Sequence, residues 1–195
     1  MKYYIFLAFY LLSIKADAQK LYWYIENSRI GYKNEKGETV IKPQYVMANA
    51  FSEGLACVGV GDNMFLAKYG FINESGAWVI QPQFDGPGDF SDGLANVSKD
   101  HNWGFIDKKG AWVVQPQYSQ CYEFRNGYAQ VSKKSKWGLI DKKGIEVLAP
   151  EYYDVTNVSD GVLAVNKEIG KGWELIDIKG RKLSDKTFDR VKEFN

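Results

Sequence analysis

The stretch Trp103-Gly104-Phe105-Ile106-Asp107-Lys108-Lys109-Gly110-Ala111-Trp112-Val113-Val114-Gln115-Pro116-Gln117-Tyr118 decides the fold. Trp103 to Asp107 is rich in aromatic and branched residues and reads as a strand. Lys108-Lys109-Gly110 reads as a tight turn with glycine at positive φ. Ala111 to Gln115 is the returning strand, and Pro116, which has no amide hydrogen, is expected to end its pairing. After an irregular crossing, Gly127 to Lys133 reads as a third strand. Lys134 to Lys136 then turns the chain into a further copy of the first. The unit is a three-stranded meander without a helix.

The same pattern recurs. Counted from a leading glycine (Gly31, Gly70, Gly104, Gly138), a turn glycine follows at +6 (Gly37, Gly76, Gly110, Gly144). Proline stands at +12 (Pro43, Pro82, Pro116, Pro150) and an aromatic at +14 (Tyr45, Phe84, Tyr118, Tyr152). Phe51, Phe90, Phe124 or Val158 occupies +20, and a last glycine (Gly54, Gly93, Gly127, Gly161) occupies +23. Successive copies begin 39, 34, 34 and 36 residues apart, the last interval ending at Glu174, where the leading glycine is lost. A fixed period of this size marks a repeat architecture. The first copy is lengthened within Gly59 to Lys68 and the fourth near Gly170 to Gly172, both at the turn from third to first strand, where a loop can grow harmlessly.

One copy has too few large apolar side chains to offset the entropy of ordering its backbone, so stability must be shared between neighbours. At the ends, Leu21 to Glu26 resembles a lone third strand, and Gly180 and Phe194 fit the phase of a fifth, partial copy. The expectation is an all-β array: tandem three-stranded meanders stacked in an open β-solenoid or superhelix, its partial copies shielding the terminal edges. The alternative is a small closed propeller-like ring, in which the lone strand pairs with the last two.

Met1 to Ala18 stands outside this pattern. Lys2, an apolar run from Tyr3 to Ile14, and Ala16-Asp17-Ala18 before Gln19 have the form of a secretory signal peptide. The run is too short for the roughly 20 residues of a spanning helix. Residues 19–195 then form one domain: four full copies from about 31, 70, 104 and 138, with partial copies at both ends. Removing the leader takes Lys2, Lys15 and Asp17 from totals of 25 basic and 24 acidic residues and leaves 23 of each. That balance argues against nucleic-acid binding and against attraction to an anionic membrane. Cys57 and Cys121 lie two copies apart at different phases, beyond the reach of a bridge in a stacked array, and are expected to be separate buried thiols.

Trp103-Gly-Phe-Ile-Asp-Lys-Lys-Gly and Trp137-Gly-Leu-Ile-Asp-Lys-Lys-Gly, followed by Gln-Pro-Gln-aromatic and Phe-x-x-Gly-x-Ala-x-Val, resemble the bacterial WG repeat. The resemblance covers roughly Gly31 to Asn195, with departures at Ile30-Gly31, Tyr69-Gly70 and Trp173-Glu174. It implies β-rich modules that mediate interactions, often in exported or envelope-associated proteins, and it implies no catalytic residues and no established ligand.

The residues themselves offer little chemistry. Asp107, Asp141 and Asp177 share one repeat position with Asn34 and Asn73. Both residue types bond turn backbone through a side-chain oxygen, whereas catalysis would not tolerate the exchange. His101 is the single histidine and sits in a turn, so neither a zinc site nor a triad follows. Gly59-Val60-Gly61 and Gly86-Pro87-Gly88 lack the Lys-Ser pair of a phosphate cradle. The Asp89 and Asp92 region lacks the ordered ligands of a calcium loop. No cofactor and no metal is expected.

Trp103, Trp137 and Trp173 recur with the period and read as core. Trp78 and Trp112 differ: they share position +8 with Thr39, Glu146 and Lys182, residues that tolerate water. Two adjacent copies would then expose indoles, with Gln81 and Gln115 as flanking hydrogen-bonders. The expected function is a non-enzymatic, exported interaction module that meets a protein or cell-envelope partner in the periplasm or outside the cell. The alternative is a glycan-binding module using Trp78 and Trp112.

Overall fold

The computed structural model describes residues 20–191; the leader reading lies outside them. Every regular element among the described residues is a strand, and the strands form five antiparallel sheets. The first holds β1 (Tyr22–Glu26), β2 (Arg29–Lys33) and β3 (Thr39–Tyr45). The second holds β4 (Met47–Ala48), β5 (Leu55–Val60), β6 (Lys68–Asn73) and β7 (Trp78–Phe84). In the third are β8 (Phe90–Ser91), β9 (Leu94–Lys99), β10 (Asn102–Ile106) and β11 (Trp112–Tyr118). The fourth has β12 (Gln120–Cys121), β13 (Tyr128–Lys133), β14 (Lys136–Asp141) and β15 (Glu146–Tyr152). The fifth has β16 (Asp154–Val155), β17 (Val162–Asn166) and β18 (Glu174–Asp177).

The sheets are out of phase with the sequence copies. Each sheet joins the third strand of one copy to the first two strands of the next, as β5 pairs with β6 and β6 with β7. The lone third strand is therefore no remnant: β1 pairs with β2 over five residue pairs from Tyr22↔Lys33 to Glu26↔Arg29. A short inner strand adds a fourth member, as Gln120 and Cys121 oppose Ser132 and Val131.

Pro116 does not end its strand. The return strand runs on to Tyr118, and its register against β10 shifts between Phe105↔Val114 and Trp103↔Tyr118. This bulge arches the +10 to +12 backbone over the leading glycine. A Cβ there would overlap the +10 carbonyl oxygen and lie 2.7–2.9 Å from the proline nitrogen in all four copies, Gly31–Pro43, Gly70–Pro82, Gly104–Pro116 and Gly138–Pro150. Because the return strand is the last member of its sheet, the missing proline N–H costs no ladder bond. In the fifth copy, glycine and proline disappear together (Glu174, Lys186), and only isolated bridges, Ile176↔Lys182 and Trp173↔Phe188, remain of that hairpin.

The turns follow the sequence. Gly37, Gly76, Gly110, Gly144 and Gly180 have φ between 78° and 83°. Asp107 Oδ1 accepts from the amides of Lys109 and Ala111, both at 2.9 Å, and Asn34, Asn73, Asp141 and Asp177 do the same in their copies. The recurring acids are thus turn formers. Glu53-Gly54, Asp92-Gly93, Asn126-Gly127 and Asp160-Gly161 have paired positive φ, the signature of two-residue type I′ turns into the third strand.

Sheets pack face to face through one repeated set of contacts. The second sheet offers Ala56, Val58, Ile72 and Trp78 to Tyr32, Ile41 and Tyr45 of the first. Ala95, Val97, Ile106 and Trp112 play the same part against Phe71, Ile80 and Phe84. Hydrogen bonds bridge the junctions: Ser52 Oγ donates to the Phe90 carbonyl and Ser91 Oγ to that of Phe124, each at 2.6 Å. The amides of Gly93 and Gly127 donate to Glu53 and Asp92. Cys57 is buried and Cys121 half-buried, and both are free thiols, pushed up to about 12 chiefly by burial.

The array is open among the described residues, since no strand of the first sheet pairs with one of the fifth and each core cluster joins only neighbouring sheets. Its outward first face is rewritten. Where inner sheets carry Ala, Val, Ile and Trp, the first carries Tyr22, Tyr24, Lys33 and Thr39. Tyr24 and Thr39 share a hydroxyl hydrogen bond of 3.2 Å, and Lys33 Nζ sits 4.1 Å from the Tyr24 ring centroid. Polar groups and a cation–π contact thus cap a face that is elsewhere apolar.

Two substitutions separate the glycine roles. Gly104→Ala is expected to cost about 1–3 kcal/mol through overlap with the arched strand. Gly93→Asn, at a left-handed turn with open space around it, should cost only a few tenths of that scale. Urea unfolding followed by tryptophan emission measures both, and equal costs would contradict the arch.

Candidate functional surfaces

Two surfaces are built by several copies at once. The first is the outer rim. Each return strand ends its sheet; its +10 and +14 side chains are its most buried, the proline at +12 is half-buried, and +11 and +13 are exposed. Val40, Val79 and Val113 at +9 are 38, 44 and 39% exposed, and Val147 is half-buried. Lys42, Gln81, Gln115 and Ala149 follow at +11, and Gln44, Gln83, Gln117 and Glu151 at +13, all exposed. Proline at +12 interrupts the free edge, which therefore cannot template an added strand. What the rim presents is side chains, at a fixed spacing.

Trp78 and Trp112 adjoin this rim as part of the sheet packing. Each is half-buried and meets the +14 aromatic of the preceding copy edge-on: Tyr45–Trp78 at 6.1 Å and 84°, Phe84–Trp112 at 5.6 Å and 87°. Both indoles thereby gain an edge-to-face contact. Gln81 and Gln115 are exposed three residues further along the same strands.

The second surface is a funnel of about 640 Å³ where the crossings of all five copies converge, through Asn49, Asp89, Tyr122, Asn157 and Val191 among others. Convergence of inner strands on one axis makes the sheets radial, like blades. Side-chain amides brace the wall: Asn49 Nδ2 donates to Asp89 Oδ1 at 2.8 Å, Asn96 Nδ2 to the Cys121 carbonyl at 3.4 Å, and Gln130 Nε2 to Asn157 Oδ1 at 3.0 Å. Burial pushes the Asp89 carboxyl above its ordinary value, the Asn49 bond opposes this, and the nearby Glu123 charge adds to it. Sequence reasoning missed the funnel. The available signal was divergence, because offsets +16 to +19 read Met-Ala-Asn-Ala, Gly-Pro-Gly-Asp, Gln-Cys-Tyr-Glu and Asp-Val-Thr-Asn while their surroundings repeat.

Among the described residues no group of three or more His, Cys, Asp or Glu side chains could hold a metal, and no helix is long and apolar enough to cross a membrane. His101 lies in a two-residue turn with φ of 65°.

A carboxyl lifted above its unfolded value contributes stability at low pH and loses it as the pH rises through the folded value. Asp89→Asn, which keeps an acceptor for Asn49, is therefore expected to raise the melting midpoint at about pH 7 and leave it unchanged at about pH 3. Thermal unfolding at both pH values checks the sign.

The family profile described as "WG containing repeat" matches residues 30–63, 69–102, 103–137 and 137–171. None of the curated proteins compared matches the chain. Among solved structures, the chain is similar to Kluyveromyces lactis Hsv2, at TM-score 0.55 and 11% identity over 86% of this chain and 60% of that one. A second structure of the same yeast protein gives 0.52 and 12%, over 90% and 62%. A eukaryotic initiation factor gives 0.52 and 14%, over 85% and 52%. The chain thus spans between about half and three fifths of these structures, and at such identities the likeness is one of fold, which is β-propeller-like.

Proposed function

The chain belongs to the WG-repeat family, and from that premise we propose that it is an exported, non-enzymatic module that binds a protein or cell-envelope partner through its rim. The observation that carries this reading is the recurrence of one exposed triplet on three successive edge strands, those of the first three copies: valine at +9, then polar side chains flanking a proline. Repetition at fixed spacing lets several weak contacts act together, which is how arrays gain affinity without a deep pocket. Gln81, Gln83, Gln115 and Gln117 supply amides that both donate and accept. The propeller-like fold is consistent with an interaction role and identifies no partner. The charge balance of the chain favours a partner recognised by shape and hydrogen bonding over one recognised by charge. Export rests on the Met1 to Ala18 leader.

Crosslinking in intact cells, followed by purification, tests the rim. Wild type is expected to retain a partner that Val79→Glu/Val113→Glu loses while keeping its melting midpoint. A chain that captures nothing, or a double variant that captures the same partner, overturns the reading. N-terminal sequencing of the exported fraction is expected to begin at Gln19, and a full-length cytoplasmic chain would refute export.

A further inference from the structure

Tyr122 breaks the repeat. Offset +18 is Asn49, Gly88 and Thr156 in the other full copies, and of the four only the third places an aromatic ring at that offset. Its ring stacks on Trp137 of the next copy, with centroids 5.2 Å apart and planes at 21°, yet Tyr122 remains 56% exposed. At the preceding junction the equivalent Trp103 is approached by Gly86, which brings no ring. One face of Tyr122 is therefore held by an indole and the other faces water. Stacking fixes the ring before any ligand arrives, so little side-chain freedom is left to lose on binding.

The ring borders a cleft of about 460 Å³ whose wall includes Ser119, Gln120, Ser135, Tyr153 and Asp154. Tyr122 and Asp154 also line the central funnel, so the two cavities share a boundary. Both volumes fall within the ~300–1,000 Å³ of ligand sites. Gln120, Ser135 and Tyr153 are exposed at the mouth. The wall thus combines one flat, immobilised aromatic face with hydroxyl, amide and carboxylate groups around it.

We propose that Tyr122, backed by Trp137, is the platform of a carbohydrate site that takes a neutral hexopyranose unit of a glycan. The axial C–H groups of such a ring carry partial positive charge and lie flat against the negative face of an aromatic. Its equatorial hydroxyls project sideways, where Ser119, Gln120, Ser135 and Asp154 can exchange hydrogen bonds with them. Glu123 across the shared boundary is paired with Arg125, which leaves Asp154 here and Asp89 in the funnel as the carboxylates that oppose uronic, sulfated or phosphorylated sugars. An apolar peptide side chain would leave the polar wall unmatched. The site is separate from the rim and from Trp78 and Trp112, and it does not rest on the protein-partner reading.

The test is titration of the whole chain with maltotriose, cellotriose, chitotriose and galacturonotriose, read by calorimetry and tryptophan emission. At least one neutral trisaccharide is expected to bind saturably and to change the emission of Trp137, while galacturonotriose does not bind. Tyr122→Ala should weaken binding at least tenfold while still unfolding cooperatively, its melting midpoint lowered only by the lost stack on Trp137; Tyr122→Trp should stay within about threefold of wild type, and Val79→Glu/Val113→Glu should bind like wild type. The proposal is overturned if all three neutral sugars fail to bind, if Tyr122→Ala binds as wild type does, or if galacturonotriose binds best. Rim variants that lose a protein partner yet keep sugar binding would set the two surfaces apart.

Discussion

The passage of each return strand over a bare α-carbon is the contact on which the array depends. With no side chain at the leading glycine, the +10 carbonyl can lie against the neighbouring strand, and the strand arches there. The arch changes the strand's register, so that the +10 and +14 side chains both reach the next sheet while proline at +12 stays at the free edge. Glycine and proline are two ends of one device. The fifth copy loses both, and its hairpin thins to isolated bridges.

Much of this was legible in the sequence, for identifiable reasons. Turn chemistry is local, so Asp107 or Asn73 followed by Gly110 or Gly76 announces its hydrogen bonds wherever it stands. Strand existence followed from composition and period. The grouping of strands did not. A meander of three strands and a sheet that borrows one from its neighbour have the same hydrophobic pattern, and only the pairing of β1 with β2 decides between them. Pro116 misled because its consequence depends on whether the strand lies at an edge, a property of the sheet rather than the residue. The inner strands, such as Met47–Ala48 and Gln120–Cys121, are too short for any propensity to register.

The candidate surfaces divide along the same line. Of the rim residues, Gln81 and Gln115 stood out in sequence because they repeat, whereas the +9 valines looked like ordinary strand residues until the edge position of their strands was known. The funnel and its cleft were not, since their residues come from the crossings, where copies differ and where distant segments meet only after folding. Trp78 and Trp112 look exposed in sequence because Thr39, Glu146 and Lys182 share their position. Thr39 occupies the capped first face, and Lys182 sits in the degenerate final hairpin.

Because every sheet straddles two copies, the period has no privileged starting point. Excising Gly104 to Trp137 would join Trp103 directly to Gly138, the same dipeptide that stood at both cuts. The surviving strands would find partners of the same type, and the terminal cap at Tyr24 and Thr39 would be untouched. Recombination between copies can therefore shorten or lengthen such a chain in whole blades, altering its reach without the need to invent a new boundary.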